Sequence, residues 1–370
     1  MASHGIPRSS VKTEVDAEPN RKEVQIYRDL ESSVHEKVFS LVRVFVNAQV
    51  LTGYQIAAHK YTHDTLDQVS ELLKKNPEYY TIWNYRRLIR QHEFAQPTSS
   101  SGQPEADQIV PIIKSDLEFL FPLLRSFPKC YWIWNYRLWI LNEGKRLLPR
   151  QLARQFWEGE LALLGKMLNA DSRNFHGWGY RIFVIEALED LADDDEPSMT
   201  QAQIDYTTKM IKTNLSNFSA WHYRTKAIQK LLNEKNASDE ERRDILEQEL
   251  ELSHNALIDP YDQSLWFYHQ NLMCVFDPSL ADRTLAPGLS SSERLKYIQE
   301  EKELINEMLE DYTDCKWIYQ ALVDCNLIAA KIEGTMSAEN RAEVLEWLKS
   351  LNELDPLRKG HWKDIENQVT

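Results

Sequence analysis

The stretch FPKCYWIWNYRL, residues 127 to 138, sets five aromatic side chains in twelve positions and runs into an arginine. Variants of it return along the chain: NPEYYTIWNYRR at 76 to 87, SRNFHGWGYRIF at 172 to 183, LSNFSAWHYRTK at 215 to 226, YDQSLWFYHQNL at 261 to 272, and a worn TDCKWIYQALV from 313. A pattern that recurs this often is architecture before it is chemistry. The anchor tryptophans Trp83, Trp134, Trp178, Trp221, Trp266 and Trp317, with Trp362 as a last member, are separated by 51, 44, 43, 45, 51 and 45 residues. A period of that size holds two helices and two turns, so the expected fold is all-α, an α-solenoid of helix pairs. Two positions after each of the first six anchors comes Tyr85, Tyr136, Tyr180, Tyr223, Tyr268 or Tyr319; one further on comes Arg86, Arg137, Arg181 or Arg224, decaying to His269 and Gln320. Anchor and basic residue, three apart, share a helix face, while the tyrosine points elsewhere.

The 370 residues suffice to bury a large core, and a repeat array grows by stacking rather than by adding domains. The net charge of −14, from 57 acidic and 43 basic residues with no long basic run, weighs against a nucleic-acid partner, which needs cations to displace phosphate counterions. The 4 cysteines (Cys130, Cys274, Cys315, Cys325) have no C-x-x-C spacing, and no secretory signal is evident, so a reduced, cytoplasmic protein is expected. No stretch reaches the roughly 20 apolar residues of a membrane span; the nearest, residues 38 to 51, is broken by Arg43, Asn47 and Gln49.

Residues 1–22 are polar and read as a flexible tail, 23–63 as an N-terminal helical region with an atypical apolar insert near 40–56, and 64–370 as the repeat array. Between the aromatic blocks amphipathic helices recur; in residues 150 to 171 a stripe steps through Leu152, Phe156, Leu163 and Met167, with Trp157, Leu164 and Leu168 alongside. Ser198 with Gln201, Ser238 with Glu241, and Ser290 with Glu293 fit capping boxes. The segments 94–107, 189–197 and 276–292, rich in Ser, Pro, Gly and acid, read as surface loops.

Each aromatic block is therefore expected to be the turn into, and first turns of, the second helix of a pair, with Asn76-Pro77 and Asp259-Pro260 as turn signals. The tryptophan would wedge between neighbouring pairs, and arginine or tyrosine would bond nearby carbonyls and carboxylates. Equivalent turns line one rim. Five positions before the anchors stand Glu78, Lys129, Arg173, Ser216 and Tyr261, so the adjacent second and third repeats are the basic ones. Their turns offer Lys129, Tyr131, Arg173, Asn174 and His176: either a grip for a phosphate-bearing ligand or a solvated basic pair beside packing aromatics. His59 and His63, four apart with no third ligand near, read as surface histidines.

The blocks YYTIWNYR, CYWIWNYR, NFHGWGYR and NFSAWHYR resemble the repeats of the protein prenyltransferase alpha subunits, and the likeness runs from about residue 64 to 362. DPYDQSLWFYH and the C-terminal LNELDPLRKGHW are similar to the type-2 member, that of Rab geranylgeranyltransferase. The resemblance implies a right-handed, crescent-shaped superhelix that works only with a beta subunit carrying zinc. It implies transfer of geranylgeranyl from geranylgeranyl diphosphate to C-terminal cysteines of Rab GTPases presented by Rab escort protein. Residue by residue, it places Lys129 on the leaving diphosphate with Tyr131 beside it, and Asn174 and His176 facing the active site; Phe175 lacks the hydroxyl of the family tyrosine. It gives this chain no metal of its own, although SHGI at residues 3 to 6 is similar to the Met-His-Gly start of type-2 subunits, whose His4 imidazole would reach the partner's zinc or simply be solvated. Other readings are the alpha subunit of farnesyltransferase and type-1 geranylgeranyltransferase, and a non-catalytic helical scaffold. The chain departs from the family in the valine-rich Ser40 to Ile56, read as retained intron sequence or as a true insertion.

Overall fold

The computed structural model describes residues 22, 24–33, 61–96, 106–280 and 283–370. The expected tail apart from residue 22, the apolar insert, His4 and His59 lie outside them. All regular structure among the described residues is helical. It falls into two compact units, Met1–Ala170 with Asn174–Asp194, and Asp171–Arg173 with Asp195–Thr370.

The first unit holds α1 over 24–33, then the pairs α2 (His63–Lys75) with α3 (Tyr80–Phe94), α4 (Ala106–Ser126) with α5 (Tyr131–Leu147), and α6 (Arg150–Ala170) with α7 (Phe175–Asp190). The second holds α8 (Thr200–Thr213) with α9 (Phe218–Glu234), α10 (Asp239–Ala256) with α11 (Gln263–Met273), and α12 (Ser291–Asp311) with α13 (Lys316–Glu333). It ends in α14 (Ala338–Leu354), a 3₁₀ turn Pro356–Arg358 and α15 (Lys359–Val369). Second helices stack on second helices: α3 on α5 and α5 on α7 in one unit, α9 on α11 and α11 on α13 in the other. The helix-pair array expected from the period is what the chain builds, and each aromatic block is the turn into a second helix.

The helix starts follow local chemistry. Ser238 and Ser290 close full capping boxes with Glu241 and Glu293, and Asn174, Asn217, Asp262 and Ser337 accept from backbone N–H groups of α7, α9, α11 and α14. The box expected at Ser198 and Gln201 does not form: the cap of α8 is Met199, and the Gln201 amide turns to Asp205 instead. α13 stops at Gly334, whose φ of 75° suits a residue without Cβ.

Two further expectations need correction. The buried stripe of α6 runs through Ala153, Trp157, Glu160, Leu164 and Leu168, so the stripe read from Leu152, Phe156, Leu163 and Met167 is its half-exposed flank. A glutamate inside the stripe hid its centre. The segment 276–292 is not simply a surface loop: Phe276, Leu285, Ala286 and Leu289 are buried, and Arg294 donates to the carbonyls of Val275, Pro287 and Leu289. The guanidinium satisfies backbone oxygens that the packed loop would otherwise strand.

Candidate functional site

The site is built from the turns upward. Four anchor tryptophans donate their indole N–H to the carbonyl six residues earlier: Trp83 to Pro77 at 2.8 Å, Trp134 to Pro128 at 2.9 Å, Trp221 to Leu215 at 2.7 Å and Trp266 to Pro260 at 2.7 Å. Three of these oxygens take a second donor from the following repeat. Cys130 Sγ reaches Pro77 O at 3.3 Å, Asn174 Nδ2 reaches Pro128 O at 3.0 Å, and Cys315 Sγ reaches Pro260 O at 3.0 Å. Both lone pairs of the turn carbonyl are used, and consecutive turns are stitched together. Of the expected bonds from arginine and tyrosine to carbonyls, Arg137 Nη1 makes one to Leu117 O at 3.4 Å and Tyr319 Oη one to Thr313 O at 2.8 Å. At the turn carbonyls the donors are tryptophan, cysteine and asparagine. Within most turns, an Asn or Asp accepts from the N–H two residues on: Asn76 from Glu78, Asp171 from Arg173, Asn214 from Ser216 and Asp259 from Tyr261.

Below the turns lies a chain of buried carboxylates that the sequence reading missed. Glu160 accepts from Arg137 Nε and Nη2, both at 2.6 Å, and from Tyr180 Oη at 3.0 Å. Glu249 accepts likewise from Arg224 at 2.7 and 2.6 Å and from Tyr268. Asp116 joins Arg86 at 2.5 Å, Arg90 at 2.6 Å and Tyr136 at 2.5 Å. Each carboxylate therefore ties the arginine of one repeat to the tyrosine of the next. The tyrosine does point away from its own tryptophan, and it packs on that of the preceding repeat: Trp83 on Tyr136 at 4.9 Å, Trp134 on Tyr180 at 5.2 Å and Trp221 on Tyr268 at 4.4 Å between ring centroids. Trp178 and Arg181 are buried in the same register. Where arginine decays to His269, Glu301 takes imidazoles instead, His269 at 2.9 Å and His254 at 2.8 Å.

The electrostatics follow from burial. Burial pushes the Asp116 carboxyl up, but the Arg86 and Arg90 charges with their hydrogen bonds outweigh it and hold it below its ordinary value. Burial, reinforced by the adjoining carboxylates, pushes the Tyr136, Tyr180 and Tyr268 hydroxyls well above theirs. Burial raises Glu301 too, yet bonds from His254 and His269 bring it down to about 2.

The expected site residues sit above this interior. Lys129 is exposed on the turn before α5, and Tyr131, at its first position, is 51% exposed. The Asn174 bond to Pro128 brings the turn before α7 against that of Lys129, and the Tyr131 and His176 rings stand 6.3 Å apart. Asn174 itself is buried, with both amide atoms engaged: Oδ1 accepts from Gly177 N at 3.1 Å while Nδ2 holds Pro128. Arg173 is exposed, its backbone N–H held by Asp171. Phe175 is 80% exposed at the start of α7. Two residues outside the sequence reading complete the neighbourhood. Arg87, half-buried on α3, donates to Asn135 Oδ1 at 2.6 Å, and Asn135 Nδ2 donates to Tyr131 Oη at 3.2 Å. Together these turns present a cation, a phenol and an imidazole on one edge of the first unit, suited to an oxyanion.

Among the described residues no group of three His, Cys, Asp or Glu is placed to hold a metal ion. Burial pushes the Cys130 thiol up to about 11 and raises Cys274, Cys315 and Cys325 as well, the opposite of what a thiolate ligand needs. His63 is exposed at the start of α2. No described helix is long and apolar enough to cross a membrane.

The sequence matches the protein prenyltransferase alpha subunit repeat over residues 62–93, 113–144, 157–188 and 200–231. The carboxylate contacts at Glu249 and Glu301 carry the same register beyond those four segments. The geranylgeranyl transferase type-2 alpha subunit of Candida albicans is 32% identical over 339 residues, covering 83% of this chain and 86% of that protein. That of Schizosaccharomyces pombe is 31% identical over 379 residues, covering 99% and 98%. Among solved structures, Candida albicans protein geranylgeranyltransferase-I complexed with GGPP superposes with a TM-score of 0.56 at 20% identity, covering 85% of this chain and 87% of that one, a likeness of fold alone. On the identity and coverage of these relatives, the chain belongs to the protein prenyltransferase alpha-subunit family, in the group of type-2 geranylgeranyl transferase alpha subunits.

Proposed function

We propose that the chain is the alpha subunit of a cytoplasmic, heterodimeric Rab geranylgeranyltransferase. The enzyme transfers geranylgeranyl from its diphosphate to C-terminal cysteines of Rab GTPases delivered by Rab escort protein, giving them a membrane anchor. The observation that carries this reading is the similarity to type-2 subunits along nearly the whole chain, 99% of it in the Schizosaccharomyces pombe case. The farnesyl and type-1 alternative has weaker support, since the type-1 neighbour shares 20% identity.

In the reaction the acceptor sulfur bonds to C1 of the lipid as the carbon–oxygen bond breaks, and the electron pair leaves with the diphosphate. Lys129 is the catalytic residue assigned here: its ammonium meets the leaving group as charge develops, which lowers the barrier more than it tightens ground-state binding. Tyr131 and His176 bind the same anion from the edge of the first unit. Asn174, buried and doubly bonded, holds the turn that presents them. Arg173, next to Asn174 along the chain, is assigned to substrate binding as a second cation. Zinc, when bound, would make a thiolate of the acceptor cysteine at neutral pH. The described residues do not fit that ion, so it is assigned to the beta subunit, together with the lipid pocket, and no step here runs through it.

The test is co-expression with a zinc-bearing beta subunit and transfer of radiolabelled geranylgeranyl to a Rab with a double-cysteine tail. Transfer that needs both subunits and escort protein is expected. Turnover by this chain alone, or efficient farnesylation of a short C-a-a-X peptide, would overturn the assignment.

A further inference from the structure

Tyr131 Oη receives the Asn135 amide N–H at 3.2 Å, and among the described residues it has no other hydrogen-bond partner. The direction of that bond is fixed from below. Arg87 donates through Nη2 to Asn135 Oδ1 at 2.6 Å and through Nη1 to Asn84 Oδ1 at 3.1 Å. A guanidinium has donors only, so the amide must turn its oxygen to Arg87 and its nitrogen to Tyr131. The guanidinium is itself held, half-buried, 5.8 Å from the Tyr136 ring centroid and 5.6 Å from that of Trp139. A phenol oxygen that accepts from Asn135 sends its own proton elsewhere, and the remaining direction is the exposed edge shared with His176.

We propose that Arg87 and Asn135 are positioning residues that fix Tyr131 as a hydrogen-bond donor toward the edge where the diphosphate binds. The relay spans two helices, α3 and α5, so the repeat before Lys129 sets the polarity of the site without touching substrate. This rests on the reading that Tyr131 meets the diphosphate. An anionic oxygen needs a donor; a phenol whose proton were captured by the protein would present lone pairs and repel it. Presenting the proton in advance removes the cost of reorienting the hydroxyl when the anion arrives.

Asn135→Asp separates polarity from shape. The carboxylate keeps the Arg87 bond but has only acceptors, so Tyr131 donates inward and turns its lone pairs to the ligand. The experiment is a double-mutant cycle in the purified heterodimer: wild type, Tyr131→Phe, Asn135→Asp and both together, each measured for affinity to geranylgeranyl diphosphate and for single-turnover transfer. Whatever the added charge does acts in both backgrounds and cancels in the cycle. Tyr131→Phe is expected to weaken affinity about tenfold, the scale of one charge-assisted hydrogen bond. Asn135→Asp should cost about tenfold more in the tyrosine background than in the phenylalanine one. Equal cost in both backgrounds would overturn the relay and leave Tyr131 as a ligand. Wild-type affinity and transfer in Tyr131→Phe would overturn the underlying reading of Tyr131 and the relay with it.

Discussion

In the first unit Arg137 and Tyr180 meet on Glu160; in the second, Arg224 and Tyr268 meet on Glu249 with the same bidentate fork. Five residues before the anchor tryptophan the two part company. In the second unit the Ser216 hydroxyl donates to Asp262 and the Tyr261 hydroxyl to Asp314 at 2.5 Å, each an acid of the following turn. In the first unit that offset holds the charged Glu78 and Lys129, while the grip made by the residue just before a second helix is common to both units: Cys130 on Pro77, Asn174 on Pro128 and Cys315 on Pro260. One interior thus supports two rims. Ser216 and Tyr261 are spent on the fold by clasping an acid of the next turn, whereas the same offset in the first unit is held by charged side chains.

The interior is where the largest effects belong. Asp116 is fully buried against Arg86 and Arg90, so Asp116→Ala strands two guanidinium groups and should cost about 3–5 kcal/mol. Urea unfolding of the purified protein measures this, and a midpoint near wild type would mean that the carboxylate contacts do not hold the repeats together. The second unit differs in using imidazoles on Glu301. Its carboxyl is brought from 4.5 to about 2 in the folded chain, so its contribution is complete above pH 4.5 and disappears as pH falls toward 2. The stability difference between wild type and Glu301→Gln should accordingly narrow across that window; a difference independent of pH would remove the imidazole–carboxylate account. The rim of the second unit should matter least. Ser216→Ala breaks one clasp, costs about 0.5–1 kcal/mol and leaves transfer unchanged; a marked loss of transfer would show that this rim also serves chemistry.

The aromatic period made the helix-pair fold legible, because a tryptophan that fills the gap between stacked pairs must recur once per pair. That the turns carrying Lys129, Tyr131 and His176 lie side by side was legible through the same offsets. Asp116, Glu160, Glu249 and Glu301 were not, although each stands 16 to 18 residues before its anchor. An acid within an apolar stripe reads as a break in the stripe until its arginine is known, and the arginine lies in the preceding aromatic block, 23 to 30 residues earlier. Arg87 and Asn135 escaped for a related reason: they are 48 residues apart, and nothing in spacing along one helix brings them together. Asn174, expected to face a ligand, has an amide that caps α7 and holds Pro128. Polar side chains on turns serve ligand and backbone with the same atoms, and only geometry tells which.

The proposed action of the first unit's edge on the leaving group depends on Lys129. The direct measurement is single-turnover geranylgeranyl transfer by the heterodimer with the lipid diphosphate already bound, so that product release cannot mask chemistry. Lys129→Ala should slow that step about 10²-fold with little change in lipid affinity, while Glu78→Gln, at the same offset one repeat earlier, should match wild type. A Lys129→Ala enzyme that transfers at the wild-type rate would contradict the account and leave this lysine a surface charge.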